Sequence, residues 1–250
     1  MKVSQKIEKK LAEISEGTIF RYQDLGIEAQ EYAAAAKSVG LYVAKGILKR
    51  ASKGVFYKPK QTVFGIAKPR EEELMKQYLF KNGQRVAYIT GSSLYNKMGL
   101  TMQVPFNLTV ASKTRRSKVS IGNIKITPVR SYADVTDDNY YLLGLLDAIK
   151  DFNSIPDKDS DSVIKILTNK MKELNMGETK QLVLYALMYP PRVRALFGAI
   201  VENAGKTSEL DTIRGSLNPL SKYNYGPVEW IWLQFSYRKR LPLKKQINQL

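Results

Sequence analysis

The sequence of 250 residues contains neither cysteine nor histidine. Without cysteine the chain has no disulfide and no thiolate metal site, and nothing favours secretion. Without histidine it lacks the side chain most often used as a general base and as a zinc ligand, and Ser–His and Cys–His nucleophile pairs cannot form. We therefore expect a binding protein that is not an enzyme and that uses no cofactor and no metal.

Long apolar runs are missing as well. The longest run extends over the eight residues from Leu182 to Tyr189, whereas a helix needs about 20 apolar residues to span a bilayer. The first ten residues, MKVSQKIEKK, lack the apolar stretch that is typical of a signal peptide. These absences predict a cytoplasmic protein that does not engage a membrane.

Acidic residues are scarce in the first half of the chain. The 40 Lys and Arg residues exceed the 23 Asp and Glu residues by 17, and a surplus of 15 lies in residues 1–130. A basic half joined to a nearly neutral half is typical of a protein in which one half binds a polyanion. A lysine-rich solvated surface is the alternative interpretation, since 28 of the 40 cations are lysines.

Residues 1–60 show the pattern of a winged helix-turn-helix domain. Apolar residues recur at helical spacing over 3–14, a β-prone stretch and a brief helix follow over 18–25, and a longer helix is predicted over 28–45 with Ala36 among its core residues. Residues 47–57 predict a β-hairpin around Lys53 and Gly54. In a winged helix, one helix enters the DNA major groove and the hairpin reaches neighbouring phosphates.

The cations of this segment cluster at the end of the third helix and along the hairpin, where contacts to double-stranded DNA are expected. The basic turn over 112–117, with the following Lys118, predicts a second phosphate contact, although a charged turn kept in water explains it about as well. For residues 1–60 the alternatives are a small helical domain whose hairpin merely completes the core and a helix-turn-helix that binds protein. The candidate DNA-binding residues are Lys37, Lys45, Lys49, Arg50, Lys53, Lys58, Lys60, Arg115 and Arg116.

Residues 61–250 are expected to form a second domain, either as one unit or as a mixed part over 61–135 and a helical part over 136–250, so that the expected fold class is α+β. In the mixed part, helices are expected over 71–80 and 91–98 and strands over 86–89, 106–110, 118–121 and 124–127. In the helical part, Asp137 is expected to cap a helix, Gly177 and Gly205 to end helices, and Trp230, Trp232 and Phe235 to lie in the core.

The aspartates at positions 157, 159 and 161 have the spacing with which a calcium-binding loop begins. An EF-hand would require Gly at the sixth position and Glu at the twelfth, where this chain has Ser162 and Thr168. A polar loop with a helix cap is therefore the better interpretation.

Two stretches resemble a known family. Residues 46–59 resemble the wing of the AbiEi-type antitoxins of bacterial abortive-infection toxin–antitoxin systems. Residues 91–105, GSSLYNKMGLTMQVP, are similar to the most recognisable segment of that family, a small helix ending in Gly-Leu and followed by Thr-x-Gln-Val-Pro. The likeness covers about residues 3–130, which is roughly half of the chain.

The resemblance implies an amino-terminal winged helix that represses its own operon, followed by a domain needed for antitoxicity. The implied partners are the double-stranded DNA of the operon's own promoter and a nucleotidyltransferase-like toxin, bound directly or indirectly. On the outer face of the third helix, this chain has Gly40 and Leu41 instead of polar residues, so we expect phosphate binding to outweigh base readout. A stand-alone winged-helix regulator and a basic protein-interaction module are the alternative functions.

Overall fold

The structure is a computed structural model that combines helices and antiparallel sheets and confirms the predicted α+β class. The chain divides into two compact units, the first formed by residues 1–86 and 117–127 and the second by residues 87–116 and 128–250. The domain boundary expected near residue 60 stays a prediction. The structure describes residues 3–62, 65–67, 75–76, 78–81, 83–114, 118–121, 124–206, 208 and 210–225.

The first unit begins with a helix that packs against the second long helix and shares one apolar core with a three-stranded antiparallel sheet. In the sheet, β3 lies between β1 and β2, with Phe20 opposite Phe56. Single 3-10 turns at Tyr22–Leu25 and Ala29–Glu31 precede the second long helix. The elements are α1 (Val3–Glu13), β1 (Ile19–Arg21), α2 (Tyr32–Ala44), β2 (Lys49–Ser52) and β3 (Val55–Tyr57).

The core of this unit shows which local predictions were right. Ile7 and Val39 are buried, as helical spacing predicted, and Leu48 is buried directly before β2. Ala36 is exposed, so its expected place in the core was wrong, because the buried side of α2 is narrower than the apolar composition suggested. The first strand of the hairpin begins at Lys49 and not at Ile47, because Gly46 turns the chain in the left-handed conformation (φ 74°) and Ile47 stays outside the sheet.

Three further pairs of short antiparallel strands follow β3 along the chain. The helix predicted over 71–80 is seen at Met75, Lys76, Tyr78 and Leu79, and residues 71–74 lie outside the described part. Its predicted end was wrong, because Phe80 already belongs to a strand. Phe80 pairs with Arg85 across a tight turn. The pairs are β4 (Lys60–Thr62) with β5 (Gly65–Ala67), β6 (Phe80–Lys81) with β7 (Gln84–Arg85), and β10 (Val119–Ile121) with β11 (Ile124–Arg130).

The second unit combines a sheet with a helical core. In the sheet, β8 (Ala87–Thr90) pairs antiparallel with β9 (Asn107–Ser112). In β8, Tyr88 lies opposite Ala111 of β9. The core is built from Leu142 and Leu146 with apolar residues of the later helices. The remaining elements are β8 (Ala87–Thr90), α3 (Ser92–Lys97), β9 (Asn107–Ser112), α4 (Tyr140–Lys150), α5 (Ser160–Glu173), α6 (Met176–Ala186), α7 (Pro191–Asn203) and α8 (Leu210–Gly215).

Helix ends in this unit depend on polar caps. Asn139, and not Asp137, directly precedes α4; its side chain does not cap the helix but accepts from the Thr136 amide and donates to the Asp134 carbonyl in the turn before it. Gly177 lies within α6 and ends no helix, since Asn175 and Glu178 form a capping box that begins the helix before it. The expected cap at Asp159 is confirmed: its carboxylate accepts a hydrogen bond from the Ser162 amide. Trp230, Trp232 and Phe235 lie outside the described residues.

No helix in the described part of the chain is long and apolar enough to cross a membrane.

Candidate nucleic-acid interface

Seven of the nine predicted DNA-binding residues lie in the described part of the first unit. Lys37 and Lys45 are exposed on and just after α2, and Arg50, Lys53 and Lys60 are exposed on β2, the following turn and β4. The other two, Lys49 and Lys58, are half-buried at the ends of the β2–β3 hairpin, which we call the basic hairpin. Arg115 and Arg116 lie outside the described residues.

Charge in the first unit is segregated along the chain. Between residues 32 and 70 the sequence has nine Lys or Arg residues and no Asp or Glu. Acidic residues occur before this stretch, and several are already engaged: Glu31 pairs with Lys6 at 2.8 Å and Glu13 with Lys10 at 2.7 Å. Within the described residues, none of the seven predicted cations is paired with a carboxylate. The part of the unit formed by α2 and the basic hairpin therefore carries uncompensated positive charge.

The basic hairpin is firmly anchored to the core. All three residues of β3 are buried, and the Phe56 ring lies 6.2 Å from Phe20 and 5.3 Å from Tyr22, the latter edge-on. The Arg50 guanidinium lies 5.6 Å from the centre of the Phe56 ring on the neighbouring strand, which is cation–π range. The hairpin thus presents its cations from a fixed backbone, so little backbone freedom would be lost on binding a polyanion.

The outer face of α2 offers almost no hydrogen-bonding groups. Lys37 is its one long polar side chain, and Leu41 is 57% exposed. A Cβ added at Gly40 would meet no atom within 4 Å, so this part of the helix is smooth and open. Apolar and small side chains can contact a thymine methyl but cannot pair with a base edge. The other exposed residues of this face are Ala33, Ala34, Ala36 and Ala44.

The second unit contains a buried carboxylate that the sequence analysis did not single out. Asp147 of α4 is 2% exposed. Its Oδ2 accepts hydrogen bonds from the hydroxyls of Tyr88 and Thr90, each at 2.8 Å. Its Oδ1 accepts from the Tyr189 hydroxyl at 3.1 Å and from Lys150 Nζ at 3.2 Å. Every acceptor site of the carboxylate is therefore used by β8, α4 or the segment between α6 and α7.

The donors around Asp147 hold their protons, which suits a structural role. Burial, together with the neighbouring Asp147 charge, raises the pKa of Tyr88 and of Tyr189 far above the usual range, so both hydroxyls stay protonated donors. Burial alone would lower the pKa of Lys150, but the charges of Asp147 and Asp151 and its hydrogen bond with Asp147 outweigh that effect and raise it. We interpret the network as a clamp between sheet and helices. A lone acid in the apolar run 142–149 was the signal in the sequence.

An exposed apolar segment joins α3 to β9. Met102, Val104 and Phe106, at alternate positions, are 93%, 75% and 93% exposed. The segment starts from a fixed point, since Asn96 Nδ2 donates to the carbonyl of buried Thr101 at 3.2 Å and the Gln103 amide donates to Thr101 Oγ1 at 3.1 Å. Three large apolar side chains exposed to water within five residues are typical of an interaction surface. We call these three residues the apolar strip.

Residues 6–176 match the sequence model of DUF6088, a family of unknown function. The chain belongs to this family. The match runs from α1 to the first residue of α6, so the DUF6088 region contains α2, the basic hairpin, the apolar strip and most of the Asp147 network. No curated protein matches the chain.

Proposed function

We propose that this DUF6088 protein is a DNA-binding antitoxin. The first unit is a winged helix that represses its own toxin–antitoxin operon, and the second unit counteracts a nucleotidyltransferase-like toxin. The protein acts in the cytoplasm and carries out no catalysis of its own. The resemblance to AbiEi-type antitoxins supports this class of function, and the segregated charge of the first unit is the observation that carries its DNA-binding part.

The physical argument for DNA binding is electrostatic. A helix fits the major groove, and the hairpin beside it reaches the phosphates of the flanking backbone. The small residues on the outer face of α2 permit close approach, while Lys37 and Lys45 stand near the middle and the end of that helix. Because most of the available contacts are lysine to phosphate, affinity will depend strongly on salt and weakly on base sequence.

The test is a salt titration of binding to the promoter of its own operon and to scrambled DNA. Each lost phosphate contact lowers the slope of log K against log salt by about 0.9. Replacing Lys49, Arg50 and Lys53 by Ala should therefore flatten the slope by roughly 2.7 and weaken binding to both duplexes by roughly 170-fold at 0.15 M salt, relative to 1 M. The matched control replaces three exposed lysines of the second unit by Ala, namely Lys165, Lys172 and Lys180.

The control variant loses the same charge and should keep the wild-type slope. If the hairpin variant also keeps it, the basic hairpin does not lie on phosphates and the proposed DNA-binding mode is wrong. Leu41→Ala tests base readout. Its salt slope should stay unchanged, and its preference for promoter over scrambled DNA should change only slightly, because a bidentate base contact, which Leu41 cannot make, is worth about 1–3 kcal/mol.

The apolar strip is the observation that favours a protein-binding role for the second unit, either as an antitoxin or as an interaction module without a toxin. We propose that the toxin binds it directly. Polar replacement of the strip, as Met102→Ser, Val104→Ser and Phe106→Ser, should abolish neutralisation of a nucleotidyltransferase-like toxin encoded beside this gene and leave DNA binding intact. The matched control makes the same replacement at three exposed residues of α6 and the turn after it, Met176, Leu184 and Met188.

Growth on co-expression with that toxin is the measurement. The wild type and the control variant should restore growth, and the strip variant should not. Full neutralisation by the strip variant would exclude the strip as the contact. If no such gene lies beside this one, the alternative function as a stand-alone regulator is favoured.

A further inference from the structure

The β10–β11 hairpin belongs to the first unit, although it lies far from the basic hairpin in sequence. Residues 117–127 are counted with residues 1–86. Strand β10 contacts β2, with Cα atoms within 8 Å of each other. Since β2 carries Lys49 and Arg50, the second hairpin lies directly beside the strand on which two of the proposed phosphate contacts are located.

Two exposed lysines lie on this second hairpin. Lys125 is exposed, and the next residue, Ile126, is buried, so the alternation along β11 places Lys125 on the outward face. In the backbone pairing Lys125 lies opposite Ser120, and Lys118, which is exposed as well, lies at the start of the hairpin directly before β10.

No acidic residue of the first unit lies near this pair in sequence. Between residues 74 and 133 the chain contains no Asp or Glu. In the described part of the structure, neither Lys118 nor Lys125 is paired with a carboxylate. Their positive charge is therefore available to an external anion, as is that of the basic hairpin.

We infer that Lys118 and Lys125 form a second phosphate-binding strip that continues the basic hairpin. The strip widens the DNA contact of the first unit from the β2–β3 hairpin to two neighbouring hairpins. It contributes affinity for any duplex, because both contacts are made to phosphate and none to a base edge. This inference rests on the proposed DNA-binding function.

The experiment is the same salt titration, made on the full chain with a Lys118→Ala, Lys125→Ala variant. Two lost contacts should flatten the slope by roughly 1.8 and weaken binding by roughly 30-fold at 0.15 M salt, relative to 1 M, on promoter and scrambled duplexes alike. Lys165→Ala with Lys172→Ala, in exposed positions of α5, removes the same charge from the second unit and should leave the slope unchanged.

A Lys118→Arg, Lys125→Arg variant keeps the charge and should retain the wild-type slope, which separates lost contacts from a damaged hairpin. If the Lys118→Ala, Lys125→Ala variant has the slope of the α5 control while the basic-hairpin variant shows its expected loss, the second strip is wrong and the proposed function stands. Wild-type slopes in both hairpin variants would overturn both. Flattening in the Lys118, Lys125 variant alone would support the second strip and exclude the basic hairpin.

Discussion

Removing the Asp147 carboxylate is the sharpest test of the second unit. In Asp147→Ala, the hydroxyls of Tyr88, Thr90 and Tyr189 lose their common acceptor, and Lys150 loses its nearer counter-charge. Lys150 keeps its weaker ion pair with Asp151, at 3.7 Å. We expect the second unit to unfold more easily, because these donors cannot all reach water from their buried positions.

The magnitude follows from the burial of the group. Removing one partner of a buried ion pair costs about 3–5 kcal/mol, and a buried donor left without an acceptor costs about 1–3 kcal/mol. These terms are not additive here, since Tyr189 can still donate to the Leu143 carbonyl at 3.4 Å and the Lys150 side chain is 24% exposed. We expect a loss of about 4 kcal/mol in the free energy of unfolding, which lowers the Tm by roughly 8–16 °C in a chain of this size.

The assay is urea and thermal unfolding followed by circular dichroism. Asp134→Asn is the control, because that carboxylate is 83% exposed in its pair with Lys113 and its loss should cost less than about 0.5 kcal/mol. Asp147→Asn should fall between the two, since its amide oxygen can still accept from Tyr88 while its amide nitrogen cannot accept from Lys150. An Asp147→Ala protein as stable as the control would refute the clamp.

Three further changes test local features of the fold. Gly91→Ala should cost more than about 1 kcal/mol, because Gly91 has φ 69° and a Cβ there would lie 3.0 Å from Thr109 Oγ1; a neutral effect on urea unfolding would contradict that geometry. Gly40→Ala, in open space within α2, should instead stabilise the protein by about 0.5–1 kcal/mol. A lower free energy of unfolding would show that other atoms cover this face of α2. The hydrogen bond from Lys6, followed by that from the Glu28 backbone, lowers the pKa of Glu31, so its stabilisation is present above the ordinary value of 4.5 and is lost as the pH falls through the lower folded-state value. Glu31→Gln should thus lower the urea midpoint at pH 7 but not well below pH 4.5, and a deficit that persists in acid would speak against the ion pair.

Much of the fold was predictable because its signals are local. The apolar spacing of α1, the left-handed glycines at positions 46 and 54 and the β-prone residues of β3 depend on neighbouring residues alone, and the corresponding helix and hairpin are confirmed. The predicted cap at Asp159 is local as well. The end of the helix near Phe80 was mispredicted, because pairing with Arg85 decides that strand and helical propensity does not.

The candidate interface also has a part that local sequence predicts and a part that it does not. The positive charge of residues 32–70 is a property of composition, so the candidate cations of the basic hairpin could be chosen from the sequence. The apolar strip was not predicted, although Met102 and Val104 lie in the segment that resembles the antitoxin family, since exposure of Phe106 depends on what the rest of the chain fails to cover.

By itself, the sequence determined the α+β class, the order of the elements around the basic hairpin and the separation of charge, because each depends on composition or on contacts between near neighbours. Tertiary structure alone decided that Asp147 is buried among donors 42 to 59 residues away and that the β10–β11 hairpin lies beside β2. Such contacts join segments whose local patterns carry no information about each other, and only the packing of the whole chain brings them together.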